Sequence, residues 1–533
     1  MCVYAFGLAR TGLKVLGVMV KYVRSARDES ESVNLNVDLS RVLKRVNERF
    51  LSVAIDASLV AEEKFMYLLT SPKLRTLAKA LTPAFLRFGG TRQDFMTFNP
   101  TFLHSNEYHK NSVFDANLRL ELPPILEERL KQEWALQEVL LQKEDLQRKY
   151  RSVKFTEYAV DLLYSFTNCS GLDLIFGLNE LLRTTGNSWD SSNARTLIQY
   201  CESKQYSMAW ELGNEPNSYE KKAGIRVNGY QLGQDFVQLR RILLESKLYH
   251  DTGLYGPDIS QPRDHRRDLL EGFLESGAEA IDAFTMSTED TSLEDFLDPE
   301  VLNTLALKTH EVMETVDLAS PGKKVWLGET SSAYGGGAKG LSDTFVAGFM
   351  WLDKLGLGAK LGLDVVIRQV LIGSGTYHLV DDNLDPLPDY WLSVLYKRLV
   401  GPEVLSIEAF SILGKTKRVR VYLHCTNKKS TSYKSGAVTL FALNLSKSPA
   451  RIAVPAMVSN STVEAFVLQS EQPGEEGLYS KSVKLNGEVL KMVDDRTLPS
   501  LQGTPLAAGE HLRLPGYSFA FYLLSEAQAL ACR

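Results

Sequence analysis

The sequence predicts an α/β protein, in which a (β/α)8 TIM barrel is followed by an antiparallel β-sandwich. Between residues 50 and 400, short apolar runs typical of buried strands alternate with helical stretches and recur roughly 30–50 residues apart, which favours a parallel sheet closed into a barrel. Beyond about residue 402, short apolar runs are separated by polar or glycine turns. That second pattern is typical of an antiparallel sandwich.

The barrel elements follow in order from apolar runs and helical periodicity. FLSVAID at 50–56 predicts the first strand, and the run at 81–90 ends in FLRFGG, which predicts a strand leading into a glycine turn. The later strands are predicted at 172–178, 208–212, 253–255, 325–328 and 365–372. The helices are predicted at 62–69, 194–203, 231–246, 268–276 and 343–355.

The segment from about 123 to 151 differs from the rest of the barrel region. Leu126, Leu130 and Trp134 recur every fourth residue among charged and polar residues, which predicts an exposed amphipathic helix. The sandwich strands are predicted at 418–425, 437–444, 451–455, 463–469 and 517–524. The resulting division is a poorly defined leader at 1–30, a strand segment at 31–49 that joins the sandwich, the barrel at 50–400 and the sandwich at 401–533.

The composition excludes several classes of protein. The 533 residues are 44% hydrophobic and 23% charged, which excludes a disordered chain. Lys and Arg number 60 against 65 Asp and Glu, and the net charge of −5 excludes a wholesale basic nucleic-acid binder. No apolar run approaches the roughly 18 residues that a membrane span needs. Five cysteines without CxxC spacing argue against a zinc site, and we predict no metal or other cofactor.

The signals for export are mixed. Residues 1–20 are fairly apolar, but Arg10 and Lys14 interrupt them, so they depart from the template of a secretory leader. Three Asn-X-Ser/Thr triplets mark candidate glycosylation sites, at Asn168, Asn444 and Asn460. Cys425 lies in a predicted sandwich strand and Cys532 near the chain end, which makes them candidates for a disulfide that ties down the terminus. We therefore expect a secreted protein.

Two glutamates end predicted barrel strands, where reactive side chains of such barrels lie. Glu215 lies in WELGNEPN at 210–217, and Glu329 ends VWLGE at 325–329. Retaining glycoside hydrolysis needs a carboxylic acid that protonates the leaving oxygen and a carboxylate that attacks the anomeric carbon. The alternative is that each is a buried structural residue. For an acid at Glu215, we expect burial and the charge of Glu329 to raise its pKa.

This pair resembles the acid and nucleophile of retaining barrel glycosidases, and the wider sequence resembles the heparanase family of endo-β-glucuronidases, which cleave heparan sulfate. The resemblance runs from about residue 33 to the C-terminus, and its most specific piece is GKKVWLGETSSAYGGG at 322–337. Around Glu329 the chain is more similar to the active branch than to heparanase-2. The resemblance implies Glu215 as acid/base and Glu329 as nucleophile. Residues that match other cleft contacts of the family are Asp56, Thr91, Asn214, Gln261, Tyr334, Gly335, Gly336, Gln369 and Tyr377.

The resemblance also implies binding of heparan sulfate or heparin, and through them of cell-surface proteoglycans. Two groups of basic residues match heparin-binding segments of the family. The first, the 148–154 basic cluster, consists of Arg148, Lys149, Arg151 and Lys154. The second, which Asp264 and Asp268 dilute, consists of Arg263, His265, Arg266 and Arg267. For both groups the alternative is an ordinary solvated face.

Residues 101–147 match the linker that heparanases excise on maturation, which would leave two chains held together non-covalently. Leu146 and Gln147, before Arg148, match the downstream cleavage site, with the apolar residue that cathepsin L favours. The resemblance therefore implies a processing protease as a partner, and the extracellular matrix and lysosome as locations. The alternative is a charged helix that stays attached.

One segment departs from the family. Where heparanases carry Trp-His-His-Tyr-Tyr on a barrel strand, this chain reads AFTMSTE at 283–289 and is several residues shorter, so we expect that strand to be missing near 284–290. Three functions remain open. They are a retaining endo-β-glucuronidase for heparan sulfate, a catalytically silent heparan sulfate-binding protein, and a retaining glycosidase for a neutral glycan, against which the basic clusters argue.

Overall fold

The computed structural model describes residues 30–100, 121–260, 267–290, 294–333, 335–412 and 414–533. Eight strands in these residues form a closed barrel. They are β1 (Leu51–Asp56), β2 (Phe85–Gly89), β3 (Asp173–Leu178), β4 (Ala209–Leu212), β5 (Leu254–Ser260), β6 (Ala283–Asp290), β7 (Lys324–Ala333) and β8 (Val366–Ile372). Each strand pairs in parallel with the next, and β8 pairs with β1. The predicted TIM barrel is confirmed.

Helices surround the barrel, so its strands are buried on both faces; every residue of β1 and β8 is buried. The helices are Pro72–Lys79, Glu157–Ser170, Ser192–Ser203, Tyr219–Ala223, Gly229–Glu245, Arg267–Gly277, Pro299–Ala319, Ala347–Leu361 and Pro388–Leu399. The helix predicted at 62–69 is present, and its hydrogen bonds are of the 3₁₀ type. Ala57–Ala61 and Glu63–Thr70 form 3₁₀ helices, and Asp56 begins the first by accepting a hydrogen bond from the Ser58 amide.

The strand that we expected to be missing is present. β6 pairs with β5 on one side and with β7 on the other, so the barrel closes through it. Phe284, Thr285 and Met286 are buried, which supplies the packing that a barrel strand needs. What the chain lacks here is the aromatic motif and not the strand.

Strand β7 is longer than predicted. Residues Thr330–Ala333 are small, buried and part of the strand, so Glu329 lies within β7 rather than at its end. The pairing of β7 with both neighbours shifts register beside this residue, between Met286 and Ser287 on β6 and between Leu327 and Thr330 on β7. Such irregularities redirect side chains.

Residues 400–533, with two strands from residues 31–45, form a largely antiparallel sheet of thirteen described strands with its own core, which confirms the predicted sandwich. The strands are Glu31–Asp38, Lys44–Arg45, Val400–Ser411, Gly414–Lys415, Val419–Thr426, Val438–Asn444, Ala450–Ile452, Val463–Ser470, Val483–Leu485, Glu488–Val489, Thr504–Leu506, Leu512–Leu514 and Ser518–Leu524. The first of these pairs antiparallel with Val400–Ser411 and parallel with Ala450–Ile452. Cys425 and Cys532 form the predicted disulfide, with Cα atoms 5.4 Å apart.

A helix at Pro124–Gln147, which we call the linker helix, packs on the barrel. Its Leu130, Trp134 and Leu141 are buried, so it is less exposed than predicted. The Trp134 ring meets the Phe65 ring edge-on at 5.1 Å between centroids. The helix is flanked by the paired short strands Met96–Phe98 and Val153–Phe155. Among the described residues, no helix is both long and apolar enough to cross a membrane.

Candidate active site

A cleft of about 870 Å³ opens at the carboxyl ends of the barrel strands. Seven of the eight strands or the loops that follow them contribute side chains to it, and so does the linker helix. Examples in chain order are Asp56, Thr91, Gln142, Glu215, Ser260, Ser287, Glu329 and Gln369. Residues predicted for the site that line this cleft are Asp56, Thr91, Arg148, Glu215, Glu329, Gly335, Gly336, Gln369 and Tyr377. Gln261 and Tyr334 lie outside the described residues.

Glu215 lies three residues beyond the end of β4, in a left-handed conformation (φ 50°) that turns the chain before Pro216. The Lys222 ammonium donates a hydrogen bond to its Oε2 at 2.8 Å. The Ser287 hydroxyl donates to its Oε1 at 3.3 Å. The carboxylate therefore lies between the helix Tyr219–Ala223 and strand β6.

Glu329 faces the same space from β7. Arg87 on β2 donates from Nη1 to its Oε2 at 2.7 Å. In the sheet, Glu329 is directly paired with Ser287, the residue whose hydroxyl reaches Glu215. Ser287 is therefore a neighbour of both glutamates, through its side chain for Glu215 and through the sheet backbone for Glu329, and both glutamates line one cleft.

Arg87 is the centre of a buried network that the sequence analysis missed. Its guanidinium is fully buried and donates to Glu211 at 2.6 Å, to the Asn214 side-chain oxygen at 2.7 Å and to Asp258 at 3.2 Å, besides Glu329. The predicted site residue Asn214 therefore lies beneath the cleft and supports it. The only sequence signal for Arg87 is a charged residue within an apolar strand, FLRFG.

The pKa of Glu215 shifts in the direction opposite to the one expected, and that of Glu329 is raised. Burial raises the pKa of Glu329; the Arg87 guanidinium opposes that rise and the charge of Glu215 adds to it. Burial would also raise the pKa of Glu215, but the Lys222 ammonium, with help from Ser287, outweighs burial and lowers it. In the free chain Glu215 is therefore the carboxylate that holds its charge more firmly.

A second group of predicted residues meets at one wall of the cleft. Asp56, at the end of β1, accepts a hydrogen bond from the Gln369 amide at 3.0 Å. Thr91 accepts one from the Lys222 ammonium at 3.0 Å. Gly90 permits this arrangement, since it has φ +103° and a Cβ there would lie 2.6 Å from the Asp56 carboxylate.

Two glycine-containing loops, which follow β7 and β8, form a further part of the cleft lining. Gly335, Gly336 and Gly337 all have positive φ, and the Gly336 carbonyl accepts a hydrogen bond from the Thr376 amide at 2.6 Å. The neighbouring Gly375 amide donates to a linker-helix carboxylate, Glu138, at 2.8 Å. The Gly375 N–H thus shows that the backbone of this loop can donate a hydrogen bond to a carboxylate.

The 148–154 basic cluster is exposed, and Arg148 reaches the cleft. Arg151 forms an ion pair with Glu144 of the linker helix at 3.1 Å, which offsets part of its charge. Of the second basic group, Arg267 pairs with Glu311, and the others lie outside the described residues.

The three glycosylation triplets differ in accessibility. Asn168 and Asn460 are exposed. Asn444 is fully buried, and its amide nitrogen donates to the Ser448, Leu514 and Pro515 carbonyls at 2.8–3.3 Å. The prediction for Asn444 is therefore wrong for the folded chain, because the side chain has no room for a glycan and the modified nitrogen would keep only one N–H for these carbonyls. Across the described residues, no group of three or more His, Cys, Asp and Glu side chains could hold a metal ion.

Comparison with known proteins shows which family this chain is similar to. Residues 149–356 match the family described as "Glycosyl hydrolase family 79, N-terminal domain". Heparanase of Mus musculus is 48% identical over 94% of this chain and 94% of its own length, and inactive heparanase-2 of Homo sapiens is 39% identical over 95% and 90%. A hyaluronoglucuronidase of Hirudo nipponia is 32% identical over 94% of this chain and 100% of its own length.

The solved structure of a 4-O-α-L-rhamnosyl-β-D-glucuronidase from Fusarium oxysporum covers 92% of this chain and 100% of its own, with a TM-score of 0.57. At 14% identity it supports the fold alone. The identities to the heparanases confirm the resemblance found in the sequence, closer to heparanase than to heparanase-2. The chain is therefore a glycoside hydrolase of family 79 and belongs to the heparanases.

Proposed function

We propose that the chain is a retaining endo-β-glucuronidase that hydrolyses internal glucuronide bonds of heparan sulfate, with Glu215 as acid/base and Glu329 as nucleophile. The observation that carries the proposal is the convergence of these two glutamates in one cleft, where Ser287 neighbours both of them. The hydrogen-bond partners of the two glutamates suit the two roles of acid and nucleophile. Arg87 orients Glu329 from a buried network, whereas Glu215 contacts residues that line the cleft.

The reaction has two steps that use the same pair of residues. A Glu329 oxygen attacks the anomeric carbon while the proton of Glu215 passes to the glycosidic oxygen, and the bond between that carbon and oxygen breaks. Glu215, now a carboxylate, then takes a proton from a water molecule whose oxygen attacks the same carbon. Glu329 leaves as a carboxylate, and two inversions give net retention.

The charges of the cleft favour an anionic substrate. Arg148, Lys221, Lys222 and Lys339 line it, and the rest of the 148–154 basic cluster lies on the adjacent surface. Clustered cations attract a sulfated polysaccharide and pair with its sulfates and carboxylates. This chemistry suits heparan sulfate and the cell-surface proteoglycans that carry it, and it disfavours a neutral glycan.

We also propose that a protease removes residues 101–147 on maturation. The linker helix lines the cleft, its Asp145 forms an ion pair with Arg92 at 3.2 Å, and its Glu138 occupies the Gly375 amide. Removing it would open the cleft to a long polymer. The disulfide, the exposed triplets at Asn168 and Asn460 and an acid catalyst suit a secreted protein that works in the extracellular matrix or the lysosome.

The second candidate is a catalytically silent heparan sulfate-binding protein. The observation in its favour is that β6 presents Ser287 beside Glu215 in place of the aromatic motif of the family. Such a protein would keep the basic surfaces and would lose turnover.

The deciding experiment is turnover of fluorogenic heparan sulfate at pH about 5, with the full chain before and after treatment with cathepsin L. We expect turnover after treatment. Glu215→Gln should lose roughly 10²–10⁴-fold on heparan sulfate and far less in the first step on an aryl glucuronide, whose leaving group needs little protonation. The matched control is Glu220→Gln, an exposed glutamate in the next helix. Salt-sensitive retention on heparin without turnover would select the silent protein.

A further inference from the structure

Lys222 occupies an unusual place for a lysine. Its side chain is 8% exposed and lines the cleft, and its ammonium donates both to Glu215, at 2.8 Å, and to Thr91, at 3.0 Å. The ammonium has three donors, and these two contacts turn it toward the reaction centre. Lys222 therefore spans the general acid and the wall that contains Asp56 and Gln369.

The pairing conflicts with the role proposed for its partner. A general acid must carry a proton when the substrate is bound, yet an ammonium in contact favours the charged carboxylate. The other charged groups around Glu215 do not remove the conflict. Arg87 also favours its charged form, and although the like charge of Glu329 opposes the two cations, the pKa of Glu215 stays below its ordinary value. Tyr150 and Glu329 also act on Lys222, and the ammonium in turn opposes the raised pKa of Asp94. Something must draw the ammonium away before Glu215 can act.

We propose that Lys222 is a specificity-determining residue that leaves Glu215 to bind the anionic group of the incoming sugar, so that the anion itself converts Glu215 into an acid. The ligand chemistry is a sugar oxyanion, either a carboxylate or a sulfate. The exchange balances: the ammonium keeps its proton and changes partner, and Glu215 takes one proton from the solvent. A neutral sugar offers no such partner, so it would leave Glu215 charged and inactive.

This inference rests on the proposed function, since it assumes that Glu215 is the acid. It explains how a buried cation beside the acid serves the reaction. It also predicts that binding and protonation are linked before any bond is broken, and that linkage is measurable without turnover.

The test is isothermal titration calorimetry of the full chain at pH about 5, in two buffers of different ionisation enthalpy, with sugars that cannot be hydrolysed. The ligands are a thio-linked glucuronide, a thio-linked glucoside sulfate and the neutral thioglucoside. We expect uptake of close to one proton with whichever oxyanion Lys222 binds and none with the neutral sugar. Lys222→Met should abolish the proton uptake and lower the affinity for that ligand roughly 10- to 100-fold, as loss of a charged hydrogen bond does. Lys222→Arg should retain both.

Lys221→Met is the matched control, because it removes the same charge from the same cleft while the ion pair of Glu215 is with Lys222. It should retain the proton uptake. Equal proton uptake in the wild type and in Lys222→Met would overturn the inference. So would an equal loss of affinity for the charged and the neutral sugars in Lys222→Met. A chain that shows the linkage but hydrolyses nothing would refute the proposed function alone, and hydrolysis without the linkage would refute this inference alone.

Discussion

Replacing Arg87 by Met removes a buried cation from among carboxylates and leaves a side chain of similar length. The guanidinium is fully buried and contacts Glu211, Asp258 and Glu329 within 2.6–3.2 Å. Breaking a buried ion pair by removing one partner costs about 3–5 kcal/mol, because the other charge stays buried without compensation. Against a typical unfolding free energy of about 5–15 kcal/mol, that is a large loss.

The loss should depend on pH, and its sign follows from the pKa directions. Burial raises the pKa of Asp258 and Glu329 in the folded chain, and Arg87 opposes that rise for both. Without Arg87 their pKa values rise further. A carboxyl with a raised pKa in the folded state binds its proton more tightly there, so its stability contribution is present below the unfolded pKa and is lost as pH rises toward the folded pKa. Each added pKa unit costs about 1.4 kcal/mol at pH above both values.

We therefore expect Arg87→Met to be much less stable than wild type at pH 7.5 and closer to it at pH 4, as measured by urea unfolding at several pH values. Arg368→Met is the control, since Arg368 is equally buried and pairs with one carboxylate, Asp389, at 2.8 Å. Its loss should vary less with pH. Equal destabilisation of Arg87→Met at both pH values, or a pH dependence no steeper than that of the control, would refute the reasoning.

Three further outcomes are expected. Glu329→Gln should fold and lose turnover, because an amide cannot attack the anomeric carbon, and azide should partly rescue Glu329→Ala with an inverted product; wild-type turnover in Glu329→Gln would rule out the nucleophile. The variant with alanine at all four residues of the 148–154 basic cluster should elute earlier from a heparin column, and its heparin binding should depend less on salt, while its turnover of a short aryl substrate changes little. Unchanged elution would mark the cluster as a solvated face. Serine at Cys425 and Cys532 together should lower the unfolding free energy by about 4–5 kcal/mol in the chain-entropy view, since the bridge closes a loop of 107 residues; an unchanged melting temperature would contradict this.

The apolar runs were sufficient to predict the barrel, because strands buried on both faces need continuous apolar sequence. The two candidate catalytic glutamates were identifiable for a related reason, since each follows such a run. Strand β6 was less visible: AFTMSTED has few β-branched apolar residues, and its neighbours β5 and β7 complete its burial. The helix Pro299–Ala319 was not predicted either.

The network beneath the site could not be predicted from local sequence. Arg87 meets partners 124 and 242 positions away, and only the closed barrel brings them together. In the sequence, Lys221 and Lys222 are typical of a solvated helix face. The structure instead places the Lys222 ammonium against the Glu215 carboxylate, because the chain turns at Glu215. These two cations lower the pKa of Glu215, which is why the prediction from burial and the charge of Glu329 gave the wrong direction.

Residues 101–147 lie between β2 and β3 in the sequence, and this has a consequence for the processed form. The segment before it supplies β1 and β2, two of the eight barrel strands, and the strand Glu31–Asp38 of the sandwich. After excision, folding would change from a unimolecular reaction to the association of two polypeptides, so the melting temperature would fall on dilution. The small fragment could not exchange without opening both domains at once. Maturation would then be irreversible in practice. Once unfolded, the large chain could refold only by binding the separate small chain that carries β1 and β2, which is a second-order reaction.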